Sequence, residues 1–154
     1  MREQQHQHYS PSIVKGSHQL GRFIMQLKRL EREPNVFGEA GRLTPSEMHM
    51  IDAIGLGGDM LMSEVAARLG VTKGAVTQLI VRLENKGIVN RKPHPQDARG
   101  TILALTPLGE EAFRIHEAMH IQFYAKLREQ LQEEEIAIFE KSIAMLTEMM
   151  KKHT

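Results

Sequence analysis

Leu20, Phe23, Ile24, Leu27 and Leu30 recur at steps of three and four, the period of one helix face, and predict an amphipathic helix over 12–33. Residues 1–11 carry no such period and read as a flexible tail, whereas Pro34 ends the helix and 34–43 reads as a loop. At 44–47 the chain reads "TPSE", a capping box. Thr44 can accept from a first-turn N–H, Pro45 suits the first helical position, and Glu47 can reach back. The helix it opens turns Met48, Ile51 and Ile54 inward and stops at "GLGGD". Ser63 is expected to cap a short helix, "EVAARLG", and Thr72 a second one running to Lys86, with Gly87 as its stop.

After Gly87 the period shortens to two. "IVNRK" and "TILALT" predict short strands joined by the loop "PHPQDARG". Pro107 then opens a long helix to about residue 130, with the stripe Ala112, Ile115, Met119, Phe123 and Leu127. A last helix after "QEEE" carries Ile136, Phe139, Ile143, Leu146 and Met150 in a near-heptad. The expected fold is mainly α: a winged helix-turn-helix over 41–106 with a small β-hairpin wing, inside a single domain over 12–154. The apolar seams of the terminal helices, 12–33 and 107–152, exceed what so small a core needs. They point to dimerisation rather than to a self-closed bundle.

The stretch "SEVAARLGVTKGAVTQLIVRLENKG" carries the sharpest signal. Ala66 lets a second helix cross closely, Gly70 can take the positive φ of a tight turn, and Leu69, Val71, Val76, Leu79, Ile80 and Leu83 are expected to be buried. That leaves Thr72, Lys73, Gly74, Thr77, Gln78 and Arg82 facing out. Small, hydrogen-bonding residues ending in a cation suit a helix lowered into the major groove of DNA. In the hairpin, Arg91 and Lys92 lie on the first strand, and Asp97 and Arg99 near the tip. Arg99 is placed to enter the minor groove, and Asp97, which phosphates repel, is expected to hold Arg99 by a charge-assisted hydrogen bond.

Charge supports the same region. Seven basic and two acidic residues give 68–109 a net charge of +5, against −1 for 1–67 and −3 for 110–154, in a chain whose total is +1. A basic middle in a near-neutral chain implies a local polyanion-binding surface. The polar N-terminus, the lack of any long apolar run and the absence of Cys point to a cytoplasmic protein without a membrane span, signal peptide, disulfide or thiolate metal site.

One motif points elsewhere. His116-Glu117-Ala118-Met119-His120 matches the H-E-x-x-H of zinc peptidases, in which two His bind the metal and the Glu activates water. A metal-dependent hydrolase on His116, Glu117 and His120 is therefore an alternative, but the chain offers no edge strand or cleft to align a peptide, and no enzyme is expected. A winged helix that binds protein is another. Met48, Met50, Met119, Met145, Met149 and Met150 would either fill a core or line a pocket for an apolar effector.

In their order, "LTPSEMHMIDAI", the helix-turn-helix with "ENKGIVNR", the wing "DAR" and "LTPLGEEAF" resemble the multiple-antibiotic-resistance regulator (MarR) family of winged-helix transcription factors, over about 12–152. The resemblance implies a homodimer built by the first, fifth and sixth helices on a near-palindromic operator of double-stranded DNA. It also implies control by a small apolar or anionic effector or a metal; lack of Cys excludes thiol-based sensing. Carried over by position, Ser63 and the outer face from Thr72 to Arg82 contact DNA, and Arg99 serves the wing. Where many members have a further Arg between the wing Asp and Arg, this chain has Ala98, so Arg91, Lys92 and His94 would share the load. His49 with His116 and His120 is similar to the His set of zinc-responsive members, and equally to a branch whose His have no known metal role. The three His would bind zinc, line a ligand pocket or only pack.

Overall fold

The computed structural model describes residues 9–30 and 32–151. The elements in chain order are α1 (Pro11–Leu30), β1 (Asn35–Val36), a 3-10 turn (Gly38–Ala40), β2 (Arg42–Leu43), α2 (Pro45–Ile54), β3 (Met60–Leu61), α3 (Met62–Leu69), α4 (Lys73–Asn85), β4 (Val89–Pro93), β5 (Thr101–Leu105), α5 (Pro107–Arg128) and α6 (Glu133–Lys151). The fold is thus mainly α with a small antiparallel sheet, as expected. Most of the predicted tail, Glu31 and the last residues from 152 lie outside the described residues.

Three short strands escape the sequence pattern. Within 34–43, β1 and β2 pair antiparallel, Asn35 opposite Leu43, around a buried Phe37. A separate three-stranded sheet has the order β3-β5-β4, so β3 pairs with the predicted β4–β5 hairpin, with Leu61 opposite Ile102 and Arg91 opposite Leu103. Two-residue strands exist only through their distant partners, so no local period announces them.

The chain forms two compact units, 1–112 and 113–154, with the boundary inside α5. In the first, α2, α3 and α4 pack on one another and on the sheet. Their core is Leu43, Met50, Ile51, Ile54, Val65, Val76, Ile80, Leu83, Val89 and Leu103, all essentially solvent-free. Met48 and Met50 therefore fill the core rather than line a pocket. The capping box forms as predicted: Glu47 N–H donates to Thr44 Oγ1 (3.2 Å) and Thr44 N–H to Glu47 Oε2 (2.9 Å). The start of α5 is locked to the root of the wing. Thr106 Oγ1 donates to the Gly87 carbonyl (2.6 Å) and accepts from Gly109 N–H (3.1 Å). By contrast α1 buries no residue, and Leu20, Phe23, Ile24, Leu27 and Leu30 lie exposed along it.

In the second unit, the Tyr124 hydroxyl donates to Glu140, Arg128 Nη1 lies 3.5 Å from the same carboxylate, and the Tyr124 and Phe139 rings stack at 6.4 Å. The Glu140 hydrogen bond is the chief cause that raises the Tyr124 pKa, aided by burial and the Glu140 charge against the pull of Arg128. The last helix begins inside "QEEE" rather than after it, because Glu135 accepts from Gln132 N–H (2.9 Å) and so caps the first turn. Ile136 is buried, whereas Ile143, Leu146 and Met150 of the same predicted seam are exposed, as are Met119, Phe123, Met145 and Met149.

Gly109 is set by close approach. A Cβ there would stand 2.3 Å from the Ile88 carbonyl oxygen and 3.1 Å from Ile88 Cγ2. Gly109→Ala should therefore cost about 1–3 kcal/mol by overpacking. Gly57→Ala, where nothing lies within 4 Å of the added carbon, should fall within about 0.5 kcal/mol of wild type. Urea melts of the two variants check this, and equal midpoints would contradict the packing argument.

Candidate nucleic-acid interface

The turn between α3 and α4 is made by Gly70, whose φ of 62° is left-handed, with Val71 N–H donating to the Ala66 carbonyl at 3.2 Å. Thr72 then caps α4 by accepting from Ala75 N–H (3.2 Å). Val76, Leu79, Ile80 and Leu83 face the core, so the 3.6-residue period leaves Lys73, Gly74, Thr77, Gln78 and Arg82 exposed on the opposite side. Thr77 donates its hydroxyl hydrogen to the Lys73 carbonyl (2.9 Å), which fixes the rotamer and leaves oxygen lone pairs outward.

Three expectations for this segment need correction, the first being Leu69, which is half-buried rather than buried. Ser63 does not cap α3: the cap is Leu61, whose N–H donates to Glu64 Oε2 (3.0 Å), and Ser63 is an exposed residue of the first turn. Pairing of Leu61 with Ile102 fixes the entry of the chain, so the helix starts at Met62 and Glu64 reaches back to the Leu61 amide. Val71 is not buried either. It is 40% exposed, because the left-handed Gly70 swings the chain outward before Thr72.

In the wing, β4 and β5 bring Arg91, Lys92, His94, Asp97 and Arg99 onto one projecting hairpin beside α4. Asp97 does brace Arg99, but through the backbone: its Oδ1 accepts from Arg99 N–H at 2.9 Å. No ion pair of the Arg99 guanidinium forms with a described residue. Arg91 behaves oppositely. Its guanidinium lies 2.6 Å from Glu84 at the end of α4, so it ties the wing to that helix.

Behind the surface, Glu47 is a charged residue only 2% exposed. Lys86 Nζ, just past α4, donates to Glu47 Oε2 (2.8 Å) and to the Arg42 carbonyl (3.2 Å). Burial pushes the Glu47 carboxyl up, but the Lys86 hydrogen bond, the Thr44 amide and the Lys86 charge outweigh it and hold the group below the usual 4.5. Neither this pair nor Glu84–Arg91 was apparent in sequence, although the box "TPSE" did mark Glu47 as structural.

His49 is exposed on α2 in the first unit, where it lines a shallow groove with Asp52, Ala53, Arg68 and Leu69. His116 and His120 lie in the second unit with ring centroids 4.2 Å apart, and Glu117 is exposed. Among the described residues no group of three His, Asp or Glu could hold a metal ion. No helix among them is long and apolar enough to cross a membrane.

Residues 43–100, the span from β2 to the wing tip, match the model of the MarR family. Over this span the chain is similar to the MarR family of winged-helix regulators. It is 28% identical over 79% of its length to the multiple antibiotic resistance protein MarR of Salmonella typhimurium, covering 85% of that protein. An HTH-type transcriptional regulator of Bacillus subtilis, YsmB, is 32% identical over 62% of this chain, which spans 65% of that relative. The crystal structure of Streptococcus pneumoniae FabT in complex with DNA superposes with a TM-score of 0.75 at 29% identity, covering 93% of this chain and 98% of that one.

Glu47→Gln keeps the shape but removes the charge, and should cost about 2 kcal/mol at neutral pH. The folded pKa is depressed, so the stabilisation is complete above the unfolded value and is lost as pH falls through the lower, folded one. Urea melts from pH 7 to pH 3 should show the wild-type advantage shrinking on acidification below 4.5. An advantage independent of pH would rule out the charge as its source.

Proposed function

We propose that this chain is a sequence-specific, duplex-DNA-binding transcription regulator. It acts as a homodimeric repressor on a near-palindromic operator and is released or retained by a small apolar or anionic ligand. The observation that carries the reading is the exposed, small and polar face of α4, from Lys73 to Arg82, beside a hairpin whose Arg99 guanidinium is uncommitted within the described residues. Thr77 and Gln78 would meet base edges, and Lys73, Arg82 and Lys92 phosphates, with Ser63 adding a hydroxyl at the start of α3. Arg99 would reach into the minor groove. FabT, solved with DNA, supports the same use of this fold.

The homodimer is supported by apolar side chains that folding leaves in water: Phe23 and Leu27 on α1, and Met145, Met149 and Met150 on α6. A two-fold protein then reads a two-fold site. The repressor role and the ligand rest on family resemblance.

Enriching bound sequences from a random duplex pool provides the test. With Lys73, Arg82 and Lys92 used twice, about six phosphates are neutralised, so affinity should fall about a thousandfold between roughly 50 and 200 mM salt. Gln78→Ala should cost about 1–3 kcal/mol and relax preference at one base position per half-site. A flat salt response, or no enriched sequence, would count against DNA binding. For assembly, Phe23→Asp should convert a sedimenting dimer to monomer, and a wild type already monomeric at micromolar concentration would contradict the dimer.

A further inference from the structure

The wing loop is organised around a histidine. His94 Nδ1 accepts from the backbone N–H of Gln96 and of Asp97, each at 3.1 Å. Pro95 between them has no N–H, so these are the first two amides the loop must satisfy. The oxygen of an Asn or Asp side chain does this in an ordinary turn; here an imidazole nitrogen does. The network continues to the tip. Asp97 Oδ1 takes the Arg99 amide, the Asp97 carbonyl takes Gly100 N–H (2.9 Å), and His94 N–H donates to the Gly100 carbonyl (2.9 Å). A Cβ on Gly100 would stand 2.9 Å from His94 Cβ, so the stem of the half-buried histidine packs directly on that glycine.

An imidazole nitrogen can accept only while it carries no proton. Imidazolium would aim an N–H at two N–H groups. We propose that His94 is the positioning residue of the wing: neutral His94 sets the loop that presents Arg99, and its protonation undoes that loop and weakens DNA binding. The charged groups on the elements around it are Lys92 and Arg91 on β4, the latter drawn to Glu84, and Asp97 and Arg99 in the loop; β5 has none. None of these groups replaces the lost acceptor. This assignment differs in sign from a direct phosphate contact by His94, which acid would strengthen.

The effect on DNA rests on the proposed function, whereas the effect on the loop does not, and the experiment separates them. His94→Asn places Oδ1 at the same bond separation from Cβ as Nδ1, and His94→Ala removes the acceptor. In the wild type, amide protection at Gln96 and Asp97 (the exchange rate relative to the intrinsic rate at the same pH) should be high at pH 8 and low at pH 5.5, high at both in His94→Asn, and low at both in His94→Ala. Against a duplex enriched by the wild type at pH 8, His94→Asn should match wild type at pH 8 and bind about tenfold tighter than it at pH 5.5, the worth of two lost hydrogen bonds. His94→Ala should bind about tenfold more weakly at pH 8. Protection unaffected by pH or by His94→Ala, or wild-type binding that tightens in acid relative to His94→Asn, would overturn the assignment. Failure of the wild type to bind any duplex at pH 8 would refute the DNA reading, and the exchange rates would still decide the loop.

Discussion

The Glu47 carboxylate is where three separate pieces of the first unit meet. It closes the N-terminus of α2 through the Thr44 amide, and it holds Lys86 at the end of α4. Lys86 in turn holds the Arg42 carbonyl of β2. A carboxylate this buried is costly unless each of its partners is present, so the arrangement tolerates little drift. The C-terminal end of α4 is thereby fixed to the strand and helix that precede it by about forty residues of chain. The N-terminal end is fixed separately, by the Gly70 turn and the Thr72 cap. A helix held at both ends presents its outer residues as one rigid array, which base reading requires.

The wing is held by weaker and more exposed bonds. Glu84–Arg91 ties its first strand to α4, the Thr106 hydroxyl ties its root to α5, and the tip depends on side-chain acceptors from His94 and Asp97. Stability thus grades from a buried ionic lock under α4 to a solvated loop at the tip. That gradient matches the two tasks. A helix entering a wide groove must be preset, while an arginine following a narrow groove gains from some give.

Much of this was legible because it is local. "TPSE" and Thr72-Lys73-Gly74-Ala75 encode caps within a single turn, and Gly70 encodes a left-handed residue that only its own backbone needs. The misses share the opposite property. β1, β2 and β3 are defined by partners across the sheet, and the pairing of Leu61 with Ile102 displaced the cap from Ser63. Lys86 finds Glu47 across thirty-nine positions, beyond any periodicity. The ion pair of Arg91 with Glu84 was not foreseen, and Asp97 serves the Arg99 amide rather than its guanidinium. Composition showed where the cations are but not which of them are already neutralised.

Gly74 sits on the exposed first turn of α4, with nothing nearer to an added Cβ than Thr72 Oγ1 at 3.9 Å. Its φ is ordinary, so alanine would fit and would make the helix more favourable by about 1 kcal/mol. The folded chain by itself has no use for that sacrifice. A bare backbone at this point matters only to something outside that must come closer than a methyl group permits. Under the proposed function, the residue would mark the contact surface by what the helix forgoes there rather than by any side chain it presents.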